Sequence, residues 1–221
     1  MRKQIEYIEP TAPEDITVSQ YKRYLTLVDG LKAEDGLSQF AYGKIVTIFC
    51  NLPDEIVGYM KFKEVKEIAG RVLAVLNQLD QLSTQKPKPI FRHLDIEFGF
   101  IPDFENISAA EYVDLSNSFN DLQNLDKMAT VLWRPVVEKK GEKYEIAEYE
   151  GSSEWINAMG SFPVLPVLQS YFFLVGFCST VIGSSQVSSL VREAIVETER
   201  EVSLKRTAST NAGAGTTVSS Q

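Results

Sequence analysis

Hydrophobic positions at helical spacing mark three helices in the first part of the chain. The first follows Thr17 and ends at Asp29 and Gly30. A second helix is predicted over roughly 37–50, and the clearest amphipathic pattern covers 62–81. The inward positions of this third helix are Val65, Ile68, Ala69, Val72, Leu76 and Leu79.

Alternation with a period of two replaces helical spacing after an extended linker at 83–89. Residues 92–100 are predicted to form one strand with one buried face and one solvent-exposed face. Its apolar positions Leu94, Ile96 and Phe98 alternate with His93, Asp95 and Glu97. Two helices are expected at about 109–118 and 121–133, and a hairpin around the charged turn at 138–143. The fold class is therefore predicted to be α+β, predominantly α-helical, with two small patches of strand.

Two segments share one arrangement of strand, proline and capping box. In the first, a strand at 5–10 precedes Thr17 and Gln20, which can cap each other's backbone amide. In the second, Ser108 and Glu111 hold the equivalent positions. Apolar staple pairs flank the two boxes, namely Ile16 with Tyr21 and Ile107 with Tyr112. Internal duplication into two similar strand-turn-helix halves explains the match, and so does the chance recurrence of a common capping motif.

A long uncharged stretch lies near the C-terminal end. Within it, residues 162–183 are long enough to cross a bilayer. Prolines at its start, internal polar residues and several glutamates after Arg192 favour a buried central helix over a membrane span. A flat ridge that another helix can approach closely is predicted from small residues at helical spacing: Gly176, Thr180 and Gly183.

Residues 187–206 are predicted to form an amphipathic helix with a narrow apolar stripe. The stripe consists of Val187, Leu190, Val191, Ala194, Ile195, Thr198 and Val202. Two interpretations stay open: a final helix docked on its own core, or a seam for a partner or a second copy. The tail at 207–221 cannot bury apolar area and is expected to be disordered. The predicted division of the chain is thus 1–82, the linker 83–89, 90–186, 187–206 and 207–221.

Composition and charge narrow the classes of function. The 221 residues carry a formal net charge of −8, which disfavours a nucleic-acid partner because such domains usually have a basic surface. Cys50 and Cys178 lie far apart in apolar runs, as buried free thiols do. No phosphate-binding, dinucleotide-binding or metal-ligand motif occurs, so we expect no cofactor and no metal. The basic start leads into no apolar segment, so no secretory signal is expected.

The grouping closest to a catalytic site is His93 with Asp95 and Glu97, on the same predicted strand face. A surface histidine between solvated acidic residues explains the same pattern without catalysis. We therefore expect no catalytic residues, and an enzyme is the less favoured class of protein.

Six short stretches, taken in order, carry a resemblance to a known family. They are 15–24, 48–53, 96–107, 111–115, 128–135 and 171–176. In this order they resemble an uncharacterised family of small structural or morphogenesis proteins of tailed bacteriophages, including crAss-like phages. The resemblance implies a non-enzymatic virion or assembly protein, and it carries over no catalytic residue.

The main hypothesis is a protein that binds other phage proteins during virion or tail assembly, as a chaperone or structural component, and that can form a homo-oligomer. It is expected in the host cytoplasm during assembly, in the virion, or in both. Its candidate partner-binding residues are Gly176, Thr180, Gly183, Val187, Leu190, Val191, Ile195 and Val202. One alternative is a cargo protein that is packaged and ejected into the host. A less favoured alternative is a membrane-active protein acting through 162–183.

Overall fold

The computed structural model describes residues 7–31, 38–104, 106–141, 143–151 and 155–184, with side chains up to Gly176. The fold is α+β and predominantly α-helical, as predicted. Four helices come first: α1 (Val18–Gly30), α2 (Gln39–Phe49), α3 (Asp54–Tyr59) and α4 (Phe62–Ser83). The three helices predicted in this region are confirmed, and α3 is an additional short helix that begins after Pro53.

The strands and the remaining helices follow the linker. In chain order they are β1 (Ile90–His93), β2 (Ile96–Phe100), α5 (Ala109–Phe119), α6 (Leu125–Leu132), β3 (Trp133–Lys140), β4 (Lys143–Ile146), α7 (Ile156–Met159) and α8 (Val164–Ser184). Short 3₁₀ turns at Pro13–Asp15 and Leu122–Asn124 precede α1 and α6. The predicted helix at 109–118 and the predicted hairpin around 138–143 are confirmed.

The four strands form one antiparallel sheet in the order β1-β2-β3-β4, so the prediction of two separate patches was wrong. The prediction of a single strand over 92–100 was also wrong. The chain reverses at Leu94 and Asp95, whose φ angles of 47° and 63° close a two-residue turn, and Arg92 then pairs with Glu97. Hairpins with two positive-φ residues normally use Asn and Gly, so the Leu-Asp pair gives no turn signal in the sequence.

The boundary between α6 and β3 differs from the predicted helix over 121–133. The helix ends at Leu132, and Trp133 already pairs with Phe100 in the sheet. The indole of Trp133 is fully buried, and its Nε1 donates a hydrogen bond to Ser170 Oγ at 3.0 Å. Ser170 in α8 and Phe100 in β2 thus hold Trp133 in the sheet. Helical spacing within 121–133 could not indicate these distant contacts.

Both capping boxes are confirmed, at Thr17 with Gln20 and at Ser108 with Glu111. The segments before them differ. No strand occurs in 7–10, the described part of the strand predicted before the first box. In its place, a 3₁₀ turn precedes Thr17, whose backbone forms an isolated bridge with Pro163.

One hydrophobic cluster joins the elements on both sides of the linker. The start of α1 is tied to the start of α8, since Val18 N donates to the Phe162 carbonyl at 2.9 Å and Val164 N donates to the Ile16 carbonyl at 2.8 Å. Helix α8 packs against α4 and α6, and most of its first twelve residues are buried. The prediction of a buried apolar helix is therefore confirmed for this part of α8.

Candidate functional site

A groove of about 330 Å³ opens between α2, α3 and the start of α4. The local sequence sets the position of this groove. Pro53 precedes the six-residue helix α3, which ends at Tyr59, and two residues separate its end from the start of α4 at Phe62. The lining is mostly apolar and consists of Gln39, Phe40, Gly43, Lys44, Asp54, Val57, Gly58, Met60, Phe62 and Val65. A concave apolar surface of this size can take one or two bulky side chains of a partner.

Two aromatic side chains that line this groove remain in contact with water. The exposed fractions are 63% for Phe40 and 43% for Phe62. Tyr59, which lies in sequence between the lining residues Gly58 and Met60, is 89% exposed. Phe62 packs edge-on against Tyr42, with ring centroids 6.3 Å apart. Exposed aromatic residues beside a cavity are typical of protein-binding surfaces, where they supply large contact area at little cost in conformational entropy.

The rim of the groove carries one positive and one negative charge. Lys44 Nζ lies 2.5 Å from Asp54 Oδ2, and Thr47 Oγ1 donates to Asp54 Oδ1 at 2.9 Å. These two hydrogen bonds lower the pKa of Asp54, so its carboxylate stays ionised at neutral pH. Lys44 also lies 5.4 Å from the ring centre of Phe40. The groove can therefore contact a partner that presents an apolar side chain flanked by both signs of charge.

A second exposed apolar feature is the β1–β2 turn. Leu94 is 73% exposed and Ile96 is 39% exposed. Arg92 Nη2 and Asp95 Oδ1 form an exposed ion pair at 3.2 Å beside them. The turn thus presents a leucine side chain to solvent between two opposite charges.

The structure does not bring His93, Asp95 and Glu97 together. His93 Nε2 lies 3.0 Å from Ser161 Oγ, whereas Asp95 pairs with Arg92 and Glu97 pairs with Lys139 at 2.5 Å. The expectation of one shared strand face fails because the chain turns between His93 and Ile96.

The contact between His93 and Ser161 lacks the other parts of a nucleophilic site. The backbone N–H groups of Gly160, Ser161 and Phe162 donate to carbonyls of their own turn, so none of these three can stabilise an oxyanion. Burial lowers the pKa of His93, whose ring packs edge-on against Phe162 at 4.8 Å. This contact ties the end of β1 to the turn before α8.

In the described residues, neither a reactive cysteine nor a metal-binding site has structural support. Cys50 is buried, and desolvation raises the pKa of its thiol to about 11, which keeps it protonated and unreactive. Across the described ranges, no group of three His, Cys, Asp or Glu side chains is placed to hold a metal ion. Of the helices the structure describes, none has both the length and the apolarity that crossing a bilayer requires.

The partner-binding residues predicted from the sequence remain predictions. Gly176 is exposed on α8. Thr180 and Gly183 lie in the same helix, but their surroundings are outside the described side chains. The stripe residues Val187, Leu190, Val191, Ile195 and Val202 lie outside the described residues.

Neither the groove nor the Leu94 turn was predicted from the sequence, and the reasons can be identified. Phe40 fits the apolar spacing of α2, and Leu94 fits the alternation of a strand, so both resemble core positions. A signal for the groove was present in Gly43 and Gly58, which leave space where side chains would otherwise close it.

Comparison of the chain with protein-family models, with curated proteins and with solved structures gives no significant match. The geometry and the sequence pattern are therefore the basis for a functional proposal.

Proposed function

We propose that this chain is a non-enzymatic protein of bacteriophage morphogenesis that binds other phage proteins. Support comes from the ordered sequence resemblance and from the exposed aromatic rim of the groove between α2, α3 and α4. The observation that carries the proposal is Phe40, which lines the apolar cavity and is 63% exposed. Such an arrangement suits recognition of an apolar segment.

The proposed mechanism is the insertion of partner side chains into the groove. An apolar anchor would lie against Val57, Met60 and Val65, while Phe40 and Phe62 would cover it and exclude water. We expect contacts of this kind in the host cytoplasm during assembly, in the virion, or in both. The ridge at Gly176 and the stripe at 187–206 are proposed as additional contact surfaces.

A capture experiment in phage-infected cells tests the proposal. Tagged full-length chain and a Phe40→Ala variant are each cross-linked during infection, and the recovered phage proteins are identified and mapped by mass spectrometry. We expect cross-links from the groove to a phage structural protein and a loss of at least about tenfold for Phe40→Ala. The control is Tyr112→Ala, since Tyr112 is 63% exposed on α5, away from the groove.

Equal recovery with Phe40→Ala would remove the groove from the proposal, and no phage protein above background would refute the proposal itself. Mass spectrometry of purified particles separates the roles. A structural or cargo protein stays with mature virions, whereas an assembly chaperone is absent from them. A chain ending at Ser185 tests the contribution of the stripe in the same assay.

A further inference from the structure

The turn between β1 and β2 combines two unfavourable features at one residue. Leu94 adopts a φ angle of 47°, a region that is strained for a bulky side chain and suits Asn or Gly. The same side chain is 73% exposed, so burial in the monomer does not compensate for the strain. Strained residues that persist at exposed positions point to a role outside the fold of the single chain.

The groove between α2, α3 and α4 offers an apolar cavity elsewhere on the same molecule. Its volume of about 330 Å³ is ample for a leucine side chain. Gly43 and Gly58 contribute no side chains to fill it, and the nearest atom to an added Cβ at Gly43 is Val57 Cγ1 at 3.8 Å. The chain therefore has both an exposed apolar side chain, that of Leu94, and an open apolar cavity.

Leu94 and the cavity are each flanked by one positive and one negative side chain, so each charge of one surface can face an opposite charge of the other. Arg92 and Asp95 lie beside Leu94, with side chains 68% and 96% exposed. Lys44 and Asp54 line the groove, with side chains 32% and 57% exposed. Exposed ion pairs contribute little to stability, so they can exchange partners readily, Arg92 with Asp54 and Asp95 with Lys44.

We propose that the β1–β2 turn of one copy inserts Leu94 into the groove of a second copy. Because the two surfaces differ, the contact is head-to-tail, and repetition leads to a ring or a filament. A single turn buries less area than the roughly 1,200 Å² of a stable interface, so each contact is weak and acts at high local concentration. The inference does not depend on a phage partner.

Sedimentation velocity of the full-length chain over a rising concentration series tests the proposal. We expect wild type to self-associate and Leu94→Asn to raise the apparent dissociation constant at least about tenfold. Asn tolerates positive φ, so the urea midpoint of Leu94→Asn should equal or exceed that of wild type. Val137→Thr is the control, since Val137 is 64% exposed on β3 and belongs to neither surface.

A variant with a filled groove extends the test. Gly43→Leu occupies the cavity without a clash at Cβ and replaces glycine inside a helix by a better helix former. Alone it should weaken self-association by at least about tenfold, as Leu94→Asn does. Mixed together, the two variants should form one-to-one dimers and nothing larger, because each retains one intact surface.

Three results would overturn the proposal: wild type that stays monomeric at every concentration, Leu94→Asn that associates like wild type, or a mixture that gives no dimer. Association that survives Leu94→Asn would assign self-contact to another surface. A chain that self-associates in this way but captures no phage protein would support this inference and refute the proposed function, so the two failures are distinguishable.

Discussion

The capping boxes at the starts of α1 and α5 have the same local geometry. Gln20 N donates to Thr17 Oγ1 at 3.2 Å, and Glu111 N donates to Ser108 Oγ at 3.2 Å. In return, the Thr17 and Ser108 amides donate to the side-chain oxygens of Gln20 and Glu111 at 3.0 and 2.7 Å. Each box thereby satisfies two backbone amides at a helix start.

The two boxes connect differently to the rest of the molecule. The Gln20 amide also donates to the carbonyls of Ile48 and Phe49, at the C-terminal end of α2. Glu111 Oε1 accepts a hydrogen bond from Arg134 Nη2 on β3 at 2.5 Å, and these side chains are 8% and 10% exposed respectively. A neutral amide thus joins α1 to α2, whereas a buried ion pair joins α5 to the sheet.

The two boxes show that the same local motif can differ greatly in the electrostatic free energy required to bury it. A neutral side chain loses little when it is buried and hydrogen-bonded, but a buried carboxylate requires a cation beside it. Around the second box, the Tyr149 ring lies 5.8 Å from the Arg134 guanidinium, and the Tyr149 hydroxyl donates to Asp114. The second box should therefore be the more sensitive to losing its partner.

The largest effect is expected from Arg134→Met. This change leaves the Glu111 carboxylate buried without its cation, and we expect a loss of about 3–5 kcal/mol in the free energy of unfolding. Urea denaturation followed by circular dichroism measures it. The double variant Glu111→Gln with Arg134→Met removes both charges and should recover at least about half of the loss. A double variant as unstable as the single one would show that packing, not charge, dominates.

A smaller effect is expected when the first box is given the charge of the second. Gln20→Glu turns a carboxylate toward the carbonyls of Ile48 and Phe49, with no donor for them, and should cost about 1–3 kcal/mol at neutral pH. The new carboxyl should have a raised pKa in the folded state, so the loss is complete above that pKa and fades as the pH falls. Urea midpoints at pH 7 and pH 4 test this, and a pH-independent loss would contradict it.

Removal of the cap hydroxyls tests whether the boxes are locally equal. Thr17→Ala and Ser108→Ala should each cost about 1 kcal/mol, because each removes one acceptor from a helix start. We expect the two values to differ by less than about 0.5 kcal/mol when measured by urea denaturation. A much larger loss at Ser108 would mean that the hydroxyl also positions Glu111 for its contact with Arg134.

The smallest effect is expected outside the core, at the 3₁₀ turn before the first box. Asp15 Oδ2 accepts from the Thr11 and Ala12 amides and from the Thr11 hydroxyl, and these hydrogen bonds lower its pKa below 3.8. The ionised carboxylate therefore stabilises the fold above pH 3.8, and this contribution is lost as the pH falls through the lowered pKa of the folded state. Asp15→Asn should therefore reduce the urea midpoint slightly at pH 7 and by less at pH 2.5. An equal reduction at both pH values would exclude the ionised carboxylate as its cause.

Local rules succeeded where residues close together in the sequence follow a common capping motif or helical spacing. The boxes at Thr17 and Ser108 could be predicted because the two partners of each box lie three residues apart. The amphipathic face of α4 could be predicted because Val65, Val72 and Leu79 repeat at helical spacing and are buried. No such local rule described the groove, which three helices form together.

The sequence by itself determined the capped starts of α1 and α5, the apolar face of α4 and the mixed α+β class, because these depend on spacing along the chain. Only the tertiary structure decided that the chain reverses at Leu94, that Trp133 joins the sheet and that Glu111 pairs with Arg134. The reversal at Leu94 is local, but Leu and Asp are not the residues that such turns normally use, so the sequence gives no signal for it. The other two features depend on partners distant in sequence. Phe100 lies 33 positions from Trp133, and Arg134 lies 23 positions from Glu111, so no local pattern contains both members of either pair.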